Sequence, residues 1–333
     1  MRIPLDTMKN ELECILLRVG LEKKRAVLCA SIFTENSLVG VASHGLNRFP
    51  LFIDYIRQGY VNPKACAQLS SSHGAWEQYD GQSGPGPLNA YDCTRRVMEL
   101  ARINGIGCLG LSNTNHWMRG GYFGWMAAEA GIAFISWTNT KPNMPPWGGV
   151  DCRVGNNPLV IAVPREKGPV VLDMAMTQFS IGKMETARQT DEDLPIDGGY
   201  DVDGNLTRNP SAILSTNRPL PIGYWKGSGL AILLDLLAAL VSGGLTTHQI
   251  GRREIEHGVS QVFIGIDISQ SASFHMINQV VDELIADLRT ATPVEHDGMI
   301  LYPGERAQHT RRENLEKGIP VDASIWNQVI SIP

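Results

Sequence analysis

Along the first third of the chain, apolar residues return every three or four positions. Met8, Leu12, Ile15, Leu16 and Val19 fall on one face of a helix, with Asp6 or Thr7 placed to cap its start and Gly20 to end it. The same spacing predicts a second helix over 22–37 and a third over 49–58, with Pro50 in its first turn, Phe52, Tyr55 and Ile56 on the buried face and Gly59 as the stop. From about residue 88 the pattern becomes an alternation of helices and short apolar strands. A helix over 90–104 ends at Gly105 and is followed by IGCLGL (106–111), a helix over 120–130, and the strands IAFISWT (132–138), PLVIAV (158–163), PVVLDM (169–174) and VSQVFIGIDI (259–268). The most apolar run, GSGLAILLDLLAALVSGG (227–244), is interrupted by Asp235 and is too short for a bilayer of roughly 30 Å, so it is predicted to be a buried helix. Helical periods return over 276–291, 305–318 and 322–330. The alternation predicts an α/β fold with a mostly buried mixed sheet, and the helical ends are predicted to pack together as one discontinuous domain.

Composition fits this picture. With 333 residues, 43% hydrophobic and 19% charged, the chain has material for two domains with real cores. The charges in MRIPLDTMKNELECILLRVG leave no signal peptide and no membrane segment, which points to a cytoplasmic protein. Cys14, Cys29, Cys66, Cys93, Cys108 and Cys152 form no CxxC pair and are expected as small core residues in a reducing compartment. The Asn205–Thr207 sequon is without meaning absent a secretory route. A net charge of −5 with no long basic run argues against nucleic acid, and no His, Asp or Glu set has the spacing of metal ligands. An acidic protein binds an anion only through local Arg, Lys or amide donors.

A GxGxxG dinucleotide fingerprint is missing. GQSGPG (81–86) has its glycines in the wrong order and reads as a surface turn, and GSGLAI (227–232) lacks the third glycine. The reactive residues gather elsewhere. Ketone reduction needs a proton donor of near-neutral pKa, and of the eight histidines His44 and His116 stand in dense polar clusters, SHGLNR (43–48) and SNTNHWMRGG (112–121). Each is followed by an arginine, Arg48 or Arg119, able to grip a carboxylate with a bidentate fork. His73, His248, His257, His275, His296 and His309 fall in turns or on polar helix faces. The loop TNTKPNMPPWGG (138–149) and CRVGNNPLV (152–160) make a long shaped connection. Asp173 sits at the end of a buried strand, where it is either a site residue or a helix cap, and Trp225 and Lys226 precede the apolar helix.

Taken together, SHGLNRFP, NHWMRGG, SWTNTKPNMPPWGG, CRVGNNPL, LDMAM with the following SxGK, LPIDGGYDVDGNLTRNP, PIGYWKGSG and the late PGE (303–305) occur in the order of the malate/L-lactate dehydrogenase family that lacks the Rossmann fold, which the chain resembles over nearly its whole length. NHWMRGG, MPPWG and GYWKGSG bring it nearer the branch acting on 2,3-diketo-L-gulonate than the malate, lactate, ureidoglycolate and cyclic-imine enzymes. The turn PREKGP (164–169) and the segment TQFSIGK (177–183) depart from the family pattern. The resemblance implies a non-Rossmann cofactor domain over 121–269 and a discontinuous substrate and dimerisation domain from 1–120 with 270–333. It implies His44 as acid/base with Ser43 beside it, and a substrate pocket of Arg48, His116 and Asn115. NAD, with NADP as the alternative, would lie along Pro169, Val170, Val171, Leu172, Asp173, Met174 and Ala175, against Trp225 and Lys226 and near Gly304, Glu305 and Arg306. Asp173 is further expected to orient His44. The implied enzyme is a homodimer that reduces a small anionic keto acid with NADH. Reduction of another 2-keto acid or a cyclic imino acid, or non-catalytic metabolite binding, are the alternatives.

Overall fold

The computed structural model describes residues 1–271, 274–294 and 298–333. In chain order the elements are β1 (Arg2–Ile3), α1 (Leu5–Arg18), α2 (Lys23–Leu38), α3 (Phe49–Arg57), β2 (Gln68–His73), β3 (Trp76–Asp80), α4 (Gly86–Asn104), β4 (Ile106–Thr114), α5 (Gly120–Glu129), β5 (Ile132–Thr138), β6 (Leu159–Val163) and β7 (Val170–Met174). Then follow α6 (Ile181–Gln189), β8 (Gly199–Tyr200), β9 (Leu206–Thr207), α7 (Pro210–Thr216), α8 (Trp225–Ser242), α9 (Thr247–Ile250), β10 (Val259–Asp267), α10 (Ile277–Leu288), α11 (Glu305–Lys317), β11 (Ile319–Pro320) and α12 (Ala323–Ile330).

The two ends of the chain share one core. Met8, Leu12, Ile15 and Leu16 of α1 are wholly buried against Phe33, Phe49, Ile319, Trp326 and Val329, and β1 pairs antiparallel with β11. Burying such a side chain contributes about 1.5–3 kcal/mol, so the apolar stripe of α1 suffices to hold it in place. The cap differs from expectation: Pro4 occupies the N-cap and Asp6 lies in the first turn, where its negative charge interacts favourably with the positive end of the helix dipole.

The centre is a seven-stranded sheet in the order β2-β3-β4-β10-β5-β6-β7. It is mixed, because β3 and β4 run parallel while the other neighbours are antiparallel. Val97, Ala101, Phe123 and Ala127 of α4 and α5 pack with Leu109, Leu111, Phe134 and Phe263, while Ala231, Leu234 and Ala238 of α8 pack with Trp137 and Val262. The sheet runs across residue 120, where a domain boundary was expected: β2, β3 and β4 all precede it. Likewise, α10 joins the β6–β7 turn through Arg165 and Asp282 (2.7 Å), so only the last stretch of the carboxyl end packs with α1–α3. The physical reason is that the strand period in 68–80 was hidden by polar residues on a half-exposed hairpin.

Three further expectations are corrected. GQSGPG is preceded by β3, which is parallel to β4, and followed at once by α4, and its Gly81, Gly84, Pro85 and Gly86 are buried. The apolar helix α8 is buried on one face only, with Leu233, Leu237 and Leu240 at 58%, 46% and 73% exposure. It is long and apolar enough to cross a membrane, yet Asp235 is built into the fold, accepting from Asn139 (2.8 Å) and the Thr247 amide (2.7 Å). Among the cysteines, Cys29 and Cys93 are core residues, whereas Cys14 and Cys66 are exposed; all six are free thiols. His296 lies outside the described residues, as does the His275 side chain.

Candidate active site

The Ser-His-Gly step lies in the break between α2 and α3. Gly45 explains why glycine follows the histidine: a Cβ there would meet Ser37 Oγ at 2.2 Å and the Phe33 carbonyl at 2.9 Å. The loop is therefore pressed onto α2, where Ser37 Oγ accepts the Leu46 amide (2.9 Å) and Asn36 Nδ2 donates to the His44 carbonyl (3.0 Å). A half-buried His44 is thereby held at a fixed place, with Ser43 Oγ 3.1 Å from its Nδ1. This leaves Nε2 as the ring nitrogen free for chemistry. Burial holds the His44 pKa below its ordinary value; Asp173 acts to raise it, and Arg48 and Arg119 to lower it.

His116 comes from the other side. Its ring stacks on His44 with centroids 5.6 Å apart, so the two clusters singled out in the sequence meet in space. Met118, at a positive φ of 69°, turns its amide back onto His116 Nδ1 (2.9 Å). Burial, with Arg48 and His44 nearby, lowers the His116 pKa strongly, so this ring is neutral. With Nδ1 accepting, its proton resides on Nε2. Arg48, Tyr55, Asn115 and His116 share the wall of a small cavity. Asn115 itself serves the scaffold: its amide donates to the carbonyls of Ser83 (3.0 Å) and Gly84 (3.1 Å), while its Oδ1 has no partner among the described residues. Gly86 packs on the same segment, since a Cβ there would lie 2.2 Å from the His116 carbonyl.

The two arginines differ. Arg119 is 8% exposed, pairs with Asp173 (3.4 Å) and lies over the Trp125 ring at 5.2 Å, so it is not free to grip a ligand. Arg48 has no ion pair or hydrogen-bond partner among the described residues. Asp173 does not orient His44 by a hydrogen bond. Its Oδ2 accepts the Gly121 amide (2.8 Å) and faces Arg119, and its influence on His44 is through charge; the contact to the ring is made by Ser43.

The residues expected along the cofactor come together around β7, an edge strand. The Val171 amide donates outward to Pro303 O (3.0 Å), so by alternation the Asp173 backbone faces the same open edge. Gly304, at φ 91°, lies against Val171, where a Cβ would be 3.0 Å from its carbonyl oxygen. Beyond the strand, Gln178 and Ile222 bond to Leu220 and Met176, which brings Trp225 and Lys226, both exposed, past its end. Arg306 is exposed and unpaired among the described residues. Glu305 is engaged otherwise: it is buried, paired with Arg289 and accepts the Tyr302 amide (3.2 Å). The Val171 side chain is likewise core. A cavity of about 690 Å³ opens beside Pro169, with Arg119, Tyr122 and Trp125 in its wall and Lys167 and Arg312 at its rim. The Asp173 end of the β7 edge, with Lys226 and Arg306, both unpaired among the described residues, forms a donor set that fits an extended, phosphate-bearing cofactor.

A profile of the family described as Malate/L-lactate dehydrogenase matches residues 3–330. The chain belongs to that family. It is 40% identical over 331 residues, 99% of either chain, to a 2,3-diketo-L-gulonate reductase of Citrobacter koseri. Among solved structures, sulfolactate dehydrogenase of Methanocaldococcus jannaschii superposes with a TM-score of 0.90 at 28% identity, covering 99% of this chain and 95% of that one. Malate dehydrogenase of Pyrococcus horikoshii gives 0.89 at 26%, covering 100% and 96%. As a malate/L-lactate dehydrogenase family member the protein is an oxidoreductase of hydroxy and keto acids that uses a nicotinamide cofactor.

Sequence reasoning passed over Ser37, whose Oγ anchors the His44 loop on α2. Ser37 carried no signal, because a serine on a buried helix face is indistinguishable in sequence from a packing residue. Gly182, in the SxGK motif singled out in the sequence, lies 3.5 Å, measured from its ideal Cβ, from Ser43 Oγ, and so sets the first turn of α6 against the His44 loop. The lobe that carries it closes at its base by the Thr177–Pro221 bridge and has a small core of Met184, Ala187, Leu194 and Ile213. The long loop after β5 proved ordered, with Met144 buried and Trp147 against Tyr224 (5.1 Å) at the start of α8.

Proposed function

We propose that this protein reduces the 2-keto group of 2,3-diketo-L-gulonate to 3-dehydro-L-gulonate with NADH, NADP being the alternative cofactor, as a cytoplasmic homodimer. The observation that carries the reading is Arg48: a guanidinium without a counter-ion among the described residues, in one cavity wall with His116, four residues from His44. It supplies the fork that a C1 carboxylate requires. The name of the Citrobacter koseri relative favours the sugar acid among keto acids.

A bound nicotinamide supplies a hydride to C2, and the edge of β7, Trp225, Lys226, Gly304 and Arg306 would hold the cofactor. Every other part belongs to the protein. His44, as imidazolium, gives its Nε2 proton to the oxygen that becomes the C2 hydroxyl, while Ser43 steadies Nδ1. Arg48 fixes the carboxylate, and once paired with it lowers the His44 pKa less, so substrate binding itself favours the proton-loaded form. His116, neutral with Nε2–H, donates to a substrate oxygen without competing for the proton. The apolar face of α8, with Leu233, Leu236, Leu237 and Leu240, is the surface on which a second copy would pack.

The test is NADH oxidation with 2,3-diketo-L-gulonate, pyruvate, oxaloacetate and a cyclic imino acid. His44→Asn is expected to lower kcat by about 10²–10⁴-fold with NADH binding intact. Normal turnover by that variant would remove His44 from its role, and activity confined to another keto acid would replace the substrate.

A further inference from the structure

One face of α3 lines the substrate cavity. Arg48, Leu51, Phe52 and Tyr55 fall at helical spacing and all belong to its wall, which His116 shares. Tyr55 stands seven positions beyond Arg48, roughly 10 Å along the axis of a helix that rises about 1.5 Å per residue, and the face between them is apolar. The residue is held in place. Tyr55 is half-buried, the Tyr60 ring meets it edge-on at 6.0 Å, and its carbonyl accepts the amides of Tyr60 (2.9 Å) and Val61 (3.1 Å), which turns the chain back so that Val61 also lines the cavity. Its hydroxyl is not used in this way. Tyrosine hydroxyls in such settings ordinarily find a hydrogen-bond partner, and none of the described residues provides one. Burial raises the pKa of the phenol, so it keeps its proton and can donate.

On the reading that Arg48 takes the C1 carboxylate, we propose that Tyr55 determines substrate selectivity: its hydroxyl hydrogen-bonds a hydroxyl group towards the far end of a polyhydroxy keto acid. A sugar-acid chain spans the distance with a hydrogen bond at each end, whereas pyruvate stops at the apolar stretch of Leu51 and Phe52. An alkyl chain of the same length would cover the phenol without pairing it, and a polar group covered in that way counts against binding.

The experiment measures kcat and KM of the full-length wild type and Tyr55→Phe with 2,3-diketo-L-gulonate, 2-keto-L-gulonate and 2-ketohexanoate. Phenylalanine keeps the ring and removes a hydroxyl that bonds none of the described residues, so the fold is retained. Tyr55→Phe is expected to lose about fivefold or more in kcat/KM on both sugar acids, chiefly in KM, and to gain about twofold or more on 2-ketohexanoate. A purely structural role would lower all three together. That result overturns the proposal, as does no change on any, and either leaves the substrate reading intact if the wild type prefers the diketo acid. A wild type silent on the diketo acid but active on 2-keto-L-gulonate, with the same opposed shifts in Tyr55→Phe, overturns the substrate named in the preceding section and upholds Tyr55. A wild type that prefers 2-ketohexanoate to both sugar acids overturns both.

Discussion

Replacing Gly45 by alanine tests whether His44, the proposed proton donor, is held by packing of its loop on α2. An added Cβ would lie 2.2 Å from Ser37 Oγ, 2.7 Å from the Ser37 amide and 2.9 Å from the Phe33 carbonyl. Ordinary contact is more than 3.4 Å, and two of the three atoms are backbone of a helix whose neighbours are wholly buried, so the loop must move rather than the helix. A displacement of roughly 1 Å at a catalytic group costs about 10²-fold in rate. The move also breaks the Leu46 amide to Ser37 bond, and overpacking with a lost hydrogen bond amounts to about 2–4 kcal/mol of stability. The assay is steady-state kcat beside thermal unfolding and NADH binding by fluorescence. Gly45→Ala is expected to lose kcat heavily, lower Tm and still bind NADH, because the clashing atoms belong to α2 and not to β7. Adding Ser37→Gly removes the closest of the three contacts and should recover only part of the loss. Wild-type kcat and Tm in Gly45→Ala would refute the argument that α2 positions His44.

Two further outcomes follow from the charges and the exposed face. On the proposed mechanism reduction needs His44 protonated, and its pKa is held below the ordinary value, so kcat/KM for reduction should fall as pH rises through that lowered pKa, and oxidation should rise over the same window. Arg48→Gln removes a cation that lowers this pKa, so the inflection should move to higher pH while KM for the keto acid increases about 10²-fold; an unmoved inflection would detach Arg48 from His44. Leu240, 73% exposed on a single chain, can become glutamate with about 0.5 kcal/mol or less of effect on the folded chain, yet Leu240→Glu should sediment as a monomer. A dimer as stable as the wild type would place the subunit contact elsewhere.

Much of the site was legible because its chemistry is concentrated in short segments. His44 with Ser43, and His116 with Arg119, stood out as polar clusters at element ends, and the structure stacks the two rings. What was not legible is which of two similar residues is free. Arg48 and Arg119 carry the same fork at like distance from a histidine, but only tertiary contacts reveal that Arg119 is consumed by Asp173 and Trp125. Glu305 looked like a cofactor contact until Arg289 and the Tyr302 turn claimed it.

The sequence alone determined the local elements, since helix and strand periods are set by which residues can face a core, and α1, α3, β5 and β10 formed close to where those periods put them. It also determined the residue types available for proton transfer and anion binding. The tertiary structure decided what no window of sequence contains: that β2–β4 join β5–β7 in one sheet across an expected boundary, that α8 leaves five of its six leucines exposed, and that the rings of His44 and His116 stack from segments far apart in the chain. The reason is physical. Burial and electrostatic pairing depend on distances between segments remote in sequence, and those distances are fixed only when the cores close.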